Sequence, residues 1–500
     1  MLNNLVLAVL LGCGTGTKDS GPTEPTDADA DTDTDTDADA DTDVDTDTDA
    51  DTDTDTAPVG LVFLDARVEP SDNSPLAAIA HFETSLEAEV TVVLSSEDTE
   101  PRVLPTTALG TAHTLEVVGM RELTEYTLVA TASTKEDVLE GEPLLFTTDA
   151  IGPLQTFDVV PFVPEDIQPG ITLFGANQTT ADDEAPFMMG IDQDGYVVWL
   201  YNPEDLVGST FVDRDIKPLS DGNFVVGTPD GWRGITPGGD TLWEITKDGT
   251  GYDLHHDIEE LPGGGFLLLV QETRTLDVPS LGGKQTVTGD GIIELDPKGD
   301  VVWTWWAFDH LDTDRYPDGL AQTPSPSTGG LDWTHGNGIQ YIEHDDSVLI
   351  SLRSQHWVVK VDRTTGTVRW ILGEEGDFTL YTGEWFSAQH HPELHEDGTI
   401  TIYDNGNTKR PEPYSRAVRY ALDEKALNAN QLFEYRTLHY TEFLGDADRL
   451  ADERVLVCAG GQRQTGFPAE IIEVAADGTE LRKLVFEDTL VFRATHIDGF

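Results

Sequence analysis

From residue 150 onward, short apolar runs alternate with acidic or glycine turns, and the same register keeps returning. "GIDQDGYVVWLY" from Gly190, "GITPGGDTLWEI" from Gly234, "ELDPKGDVVWTW" from Glu294 and "KVDRTTGTVRWI" from Lys360 share one spacing, with looser copies at "RYALDEKALNANQLFEY" and "EVAADGTELRKLVF". Each reads as a turn followed by a strand with an apolar or Trp end. A second unit alternates with the first. "RDIKPLSDGNFVV" at Arg214 and "HDIEELPGGGFLL" at His256 match at Asp-Ile, Leu, Gly and Phe, with looser copies at "GIQYIEHDDSVLI", "PELHEDGTITI" and "RLADERVLV". The pattern predicts about six copies of a four-strand unit, each roughly 45 to 65 residues long. Radial repetition of small sheets limits exposed edges, so the expected architecture is all-β, a six-bladed β-propeller over residues 150–500. The terminal "VFRATHIDGF" resembles the start of an inner unit, which predicts that the last strand joins the first blade and closes the ring.

Residues 58–149 have a different rhythm. "VGLVFLDARV", "LAAIAHFET", "EVTVVLSS", "HTLEVVG", "YTLVATAS" and "PLLFTTD" are short β-prone runs between polar turns. About a hundred such residues predict a β-sandwich. "GMRELTEYTLVATAS" resembles the leucine-tyrosine strand of fibronectin type III modules. No chemical constellation falls here, and the module is read as a spacer, docking or dimerisation unit, the last implying a homodimer.

Charge changes the picture next. The chain has 500 residues and a formal net charge of -65. That balance excludes a nucleic-acid partner, since phosphate backbones need Lys and Arg. Much of the acidity lies in residues 26–56, an alternating Asp/Thr/Ala tract inside a linker over 14–57. So little apolar content cannot offset ordering entropy, and the tract is expected to be a disordered, self-repelling spacer. It lacks the Gly and Glu of an EF-hand calcium loop. Residues 1–13 end in "VLLGC", an apolar run too short to cross a bilayer. It is similar to a bacterial lipoprotein signal, with Cys13 the lipidated residue, although an ordinary secretory signal is the alternative. A lipid anchor followed by a long polar spacer predicts an exported protein of the bacterial envelope, tethered to the outer membrane and facing periplasm or cell surface. Cys458 is then alone, leaving no intramolecular disulfide.

The repeats gather histidines. At the start of the inner unit the third copy carries His255-His256, the fourth "DWTHGNG" with His335, and the fifth "SAQHHPEL" with His390-His391, while the second has Arg214 in the place of His256. Equivalent positions of a ring surround one axis, so these side chains should converge. Adjacent strand residues point to opposite faces, so only one histidine of each pair can face a given pocket. No Cys or close acidic ligand completes a zinc site, and no metal is expected. A quinone-dependent propeller dehydrogenase and a non-catalytic tethered binding propeller are the rival readings.

"HHDIEELPGGG", "DWTHGNGIQYIEHDDSVLISLRSQHWVVKVDRTTGTVRWILG" and "AQHHPELHEDGTITIYDNG" resemble the matching stretches of bacterial arylsulfate sulfotransferases. The resemblance implies a six-bladed propeller that moves a sulfuryl group from an aryl sulfate donor to a phenolic acceptor, without cofactor, through a sulfated histidine. It places the nucleophile at His390, after Gln389, and further active groups at His335, Arg353 and His256. Arg353 would hold the sulfuryl oxygens with its planar fork. His335 and His256 would orient those oxygens or serve the phenol as acid and base. Asn337 fits the family's His-x-Asn pattern as a donor to the same oxygens, and Gln389 and His255 are supporting substrate contacts. If His390 faces the channel, His391 faces away as a structural residue. His356 alternates to the face opposite Arg353 and is left out.

The acidic tract supplies reach rather than contacts in this reading. A chain beginning at Ala57 should therefore keep its turnover with a soluble aryl sulfate, and activity lost from a folded shortened chain would show that the tract does more than tether.

Overall fold

The structure, a computed structural model, describes residues 60–152, 157–161, 167–179, 184–201, 215–461, 466 and 468–500. Cys13, the acidic linker and Arg214 lie outside the described residues. Residues 57–500 form one compact unit.

Six small sheets carry the repeats, joined as the sequence pattern predicts. The innermost strands are Thr489–Ile497, Ile216–Pro218, Asp253–Glu260, Gly336–Ile342, His390–Leu394 and Asp446–Arg449, for blades one to six. The C-terminal strand Thr489–Ile497 pairs antiparallel with Ile171–Thr179 and so completes blade one. A second closure was not foreseen: Asp158–Pro161 adds to the outer edge of blade six, against Glu480–Phe486. Both ends of the propeller sequence thus pair with strands from the opposite end, which leaves no open seam.

The repeated turn has one geometry. In blades one to four the register between third and fourth strands slips by one residue, between Gly190 and Ile191, Gly234 and Ile235, Glu294 and Leu295, and Lys360 and Val361. The same bulge returns in blade six between Glu473 and Val474. The tips close alike, with Asp192 N–H donating to Tyr196 O at 2.9 Å and Asp296 N–H to Asp300 O at 2.9 Å. Gly195 and Gly299 sit there with φ of 91° and 85°, where a side chain would be strained. Three of the recurring tryptophans clip a blade to the next. Trp199 Nε1 donates to Pro237 O at 2.7 Å, Trp305 Nε1 to Gly366 O at 3.1 Å, and Trp370 Nε1 to Glu424 at 2.9 Å. These residues therefore supply a directed bond as well as bulk.

Hydrophobic burial is partitioned between blades. Separate apolar clusters fill the interfaces of blades one and two, two and three, three and four, four and five, five and six, and six and one. The largest lies between blades three and four, where Phe308 and Trp333 from the long connection 307–333 are added. Residues 60–148 pack as two sheets that share one long strand, Ala78–Ser95. Its first half pairs with Phe63–Pro70 and Gly110–Val117, its second with Glu125–Ser133. Tyr126 is buried there and its hydroxyl accepts the Arg121 N–H at 2.8 Å. These sheets are bound to the propeller. Arg121 pairs with Asp192 and Asp194 at 2.6 Å, and Glu116 accepts from Thr236 Oγ1 at 2.6 Å and Gly238 N–H at 2.8 Å.

The axis is braced by charge. Arg493, from the strand that closes the ring, is 3% exposed. Its Nη1 meets Asp215 at 2.6 Å and Asp257 at 3.1 Å, and its Nη2 donates to Asn337 O at 2.6 Å. Asp257 also binds Lys217 at 2.6 Å and accepts the Ile339 N–H at 2.8 Å. One guanidinium therefore joins blades one, two, three and four. The aspartates are those of the repeated Asp-Ile pair. Stripping one partner from a buried ion pair costs about 3–5 kcal/mol. Arg493→Met should accordingly lower the unfolding free energy from guanidinium chloride melts by an amount in that range, with a lower midpoint. An unchanged midpoint would show that ring closure does not rest on this brace.

Candidate active site

The site is built where the inner strands begin. His256 lies in a bulge of the blade-three inner strand, between the pairs Leu254–Val270 and Ile258–Leu268. His335 immediately precedes the blade-four strand, and His390 opens the blade-five strand. Arg353 follows the second strand of blade four. Its N–H donates to His335 O at 3.1 Å and the Ser354 N–H to Thr334 O at 3.0 Å, so backbone bonds hold Arg353 beside His335.

The backbone here is unusual. His256, His335, His356, Ala388 and His391 all have positive φ, between 40° and 56°. Each such residue costs on the order of 1–3 kcal/mol, and the cost persists only where the surroundings over-determine it. The left-handed positions interrupt strand alternation and aim side chains that a regular strand would send elsewhere.

His256 and His335 meet edge to face, ring centroids 5.1 Å apart, and Phe492 lies 6.2 Å from His256. His390 lies within electrostatic reach of Arg353, His335 and His256. The four catalytic candidates therefore form one cluster. Each imidazole has a defined partner at Nδ1: Asp332 for His335 at 2.6 Å, His255 for His256 at 2.8 Å, Asn405 for His390 at 2.6 Å. His255 is in turn paired with Asp290 at 3.1 Å. Burial, then the Arg353 charge, pushes the His390 imidazole well below its ordinary basicity, against the Asn405 bond. Burial, His255 and His335 do the same to His256. Both rings are neutral at neutral pH.

Arg353 is 8% exposed. Its Nη2 donates to Glu442 O at 3.1 Å, while its Nε has no partner. Among the described residues no carboxylate lies within ion-pair distance of it. A buried guanidinium without a carboxylate partner, beside neutral imidazoles, can receive an anion.

The arylsulfotransferase (ASST) family profile matches residues 156–492. The chain belongs to the arylsulfotransferase family. Arylsulfate sulfotransferase AssT of Escherichia coli O6:H1 (strain CFT073) is 26% identical over 51% of this chain and 53% of its own length. Arylsulfate sulfotransferase AssT of Lelliottia amnigena is 24% identical over the same shares. The chain spans about half the length of the curated relatives it matches. A solved quinonprotein alcohol dehydrogenase-like protein from Bacteroides thetaiotaomicron is 8% identical, covering 81% of this chain and 91% of its own, with a TM-score of 0.34. That likeness is too distant to bear on function.

Other residues singled out in the sequence lie differently in this family member. Asn337 and Gln389 are fully buried. Asn337 Nδ2 donates to Gln389 O at 2.8 Å, and Gln389 Nε2 donates to Trp357 O at 2.9 Å and Ser351 Oγ at 3.1 Å. These amides tie blade four to blade five. His356, set aside by strand alternation, braces the turn that leads into His390. Its Nδ1 accepts the Ala388 N–H at 2.9 Å, and Nε2 faces Asp318 at 3.1 Å. Asp332, Asp290 and Asn405 were not foreseen, though Asp332 stands in the quoted "DWTHGNG" and Asn405 in "TIYDNG".

His391 does part from His390, but it does not turn away from the axis. It lines a cavity of 610 Å³ walled by the inner strands of all six blades, with Lys217, Glu259, Asp446 and Arg493 among its neighbours. The bulge between His390 and Glu393 and the φ of 40° at His391 replace strict alternation. Nor is His391 without acidic neighbours. Asp446 is 2.5 Å and Asp448 3.6 Å from its Nδ1, a grouping with metal-ligand spacing that blade six supplies. With its ring protonated, His391 forms a direct ion pair with Asp446. Burial lowers the His391 basicity, but Asp446 overrides it and holds the ring up at about 10.

Glu393 shares this cavity. Burial and the Asp448 charge push its carboxyl up to about 8 from an ordinary value of 4.5. A raised folded-state value means stability present below the unfolded value and lost as pH climbs through the folded one. Stability should therefore decline from pH 4.5 to 8 on this account. Glu393→Gln should flatten that decline in thermal melts, and an unchanged slope would clear Glu393 of the effect.

Proposed function

We propose that the chain is an arylsulfate sulfotransferase that moves a sulfuryl group from an aryl sulfate to a phenol by a ping-pong route through sulfated His390. The observation that carries the reading is the pairing of a neutral His390, its Nδ1 already bonded, with the buried and unpaired Arg353. Family membership and the names of the AssT relatives support it.

The chemistry suits these groups. A sulfate monoester carries its transfer-state charge on three equatorial oxygens, so positioning and cationic stabilisation are the protein's task. The His390 lone pair attacks sulfur, the N–S bond forms, and the S–O bond to the aryl group breaks. The phenolate leaves and takes a proton. A phenol then binds, its oxygen attacks the same sulfur, the N–S bond breaks, and the lone pair returns to His390. In this reading His335, supported by the Asp332 carboxylate, takes and returns the phenolic proton. His256 orients the oxygens from the other side. The lipid anchor at Cys13 and an outer-membrane location complete the proposal and rest on the N-terminal sequence.

Mixing the protein with 4-nitrophenyl sulfate alone should give a burst of about one nitrophenolate per site before acceptor is added. A rapidly quenched digest should carry the sulfuryl group on the "SAQHHPEL" peptide. His390→Ala should abolish burst and label, whereas His391→Ala should keep both. A label on His391 or His335 would overturn the assignment. Arg353→Lys retains charge but loses the fork, and turnover should drop roughly a hundredfold or more. Near-normal kinetics would remove Arg353 from the site. Because His390 is neutral well below its ordinary range, the acid limb of donor kcat/KM should lie below pH 6.5.

A further inference from the structure

We propose that Asn405 is the positioning residue that holds the His390 proton on Nδ1 and so makes Nε2 the atom that receives the sulfuryl group. The inference rests on His390 being the nucleophile. It concerns what a bystander amide does to that ring.

The argument is one of donors and acceptors. Asn405 is fully buried at the end of the blade-five strand Thr399–Asp404. Its Nδ2 donates to Thr441 O at 2.9 Å and to Leu444 O at 2.8 Å. Both amide hydrogens are therefore committed to carbonyl oxygens. Turning the amide over would aim Oδ1 at those two carbonyls and leave three acceptors facing one another, so the orientation is decided by the network. Oδ1 then faces His390 Nδ1 at 2.6 Å. An amide oxygen can only accept, so Nδ1 must carry the hydrogen. A neutral imidazole has a single N–H, and Nε2 is left with its lone pair. The scaffold around the amide is itself held. Ser415 Oγ donates to Asn405 O at 3.0 Å and accepts the Thr441 N–H at 2.9 Å, which fixes the loop bearing one of the two carbonyls.

The choice of an amide separates this histidine from its neighbours. His335 is backed directly by the Asp332 carboxylate. A carboxylate behind an imidazole stabilises its protonated form, which suits a ring that takes up and returns a proton. The same carboxylate behind His390 would favour protonation at Nε2 and remove the lone pair. It would also act after sulfation. When Nε2 attacks, the N–S bond forms, the S–O bond breaks, and the aryl oxygen departs with the electron pair. The ring keeps its Nδ1 hydrogen and becomes cationic while the sulfonate stays anionic. That charge makes the ring a good leaving group in the second transfer. A neutral amide oxygen supports the hydrogen without cancelling the charge, whereas a carboxylate would cancel it and slow release.

The decisive experiment uses the whole protein labelled with 15N-histidine, with His390→Gln prepared alike so that its missing signals identify the ring. At pH 7 the His390 nitrogens should read as protonated Nδ1 and unprotonated Nε2, and a protonated Nε2 would overturn the proposal without any variant. Asn405→Asp supplies the second readout. The acid limb of the burst rate should move up by about one pH unit or more, and the second transfer should slow more than the first, so that sulfated protein accumulates. A limb that stays in place in an Asn405→Asp protein with a cooperative thermal melt would overturn it too. Failure of the underlying reading looks different: wild-type protein would then carry no label on the His390 peptide, whatever its tautomer.

Discussion

The Arg493 guanidinium is the contact on which the rest of this propeller is organised. It comes from the last strand, reaches across the axis, and satisfies aspartates of blades two and three and a carbonyl of blade four. A ring of sheets has no single core, because its apolar burial is divided among six interfaces. Something must hold the inner strands in a common register. Here the holding contact is ionic, and it forms only when the C-terminal strand has docked. Ring closure and axial order are thus one event.

That brace divides the axis into two chemical regions. Asn337, whose carbonyl Arg493 holds, is also bonded to Gln389, the residue before His390. On one side stand His256, His335, His390 and Arg353, poor in carboxylates that touch the guanidinium. On the other lies the cavity containing His391, crowded with Asp446, Asp448, Glu393 and Glu259. The adjacent histidines at 390 and 391 straddle the boundary, and their basicities are driven in opposite directions. One ring is kept neutral beside Arg353, and the other is kept charged as a counter-ion to Asp446. Two identical side chains next to each other in the chain differ only in what the fold places beside them.

The positive-φ residues are the device that makes this separation possible. A regular strand would alternate His390 and His391 across one sheet. The bulges at the starts of the inner strands instead let the third, fourth and fifth blades each offer an imidazole to the same point. The same irregularity brings His356 under Ala388, where it supports the turn leading to His390. Sequence alternation had placed His356 on an unrelated face, since alternation holds only where the strand is unbroken.

By itself the sequence determined the blade count, the repeat and the closing strand. Turn type, strand propensity and the spacing of Trp and Gly are local properties, and a local code repeated six times is legible without contacts. Resemblance to a family then named His390, His335, Arg353 and His256. What backs each imidazole was not legible. Asp332 acts from a strand added to blade three, Asn405 from 15 residues beyond His390, and Asp446 from another blade, 55 residues from His391. The strand Asp158–Pro161 on blade six escaped notice for the same reason, being three hundred residues from its partner. Tautomer, charge and direction of a side chain depend on the group that touches it. Asp446 comes from the next blade and Asn405 from the neighbouring strand of the same blade, and only the folded chain brings them to their rings.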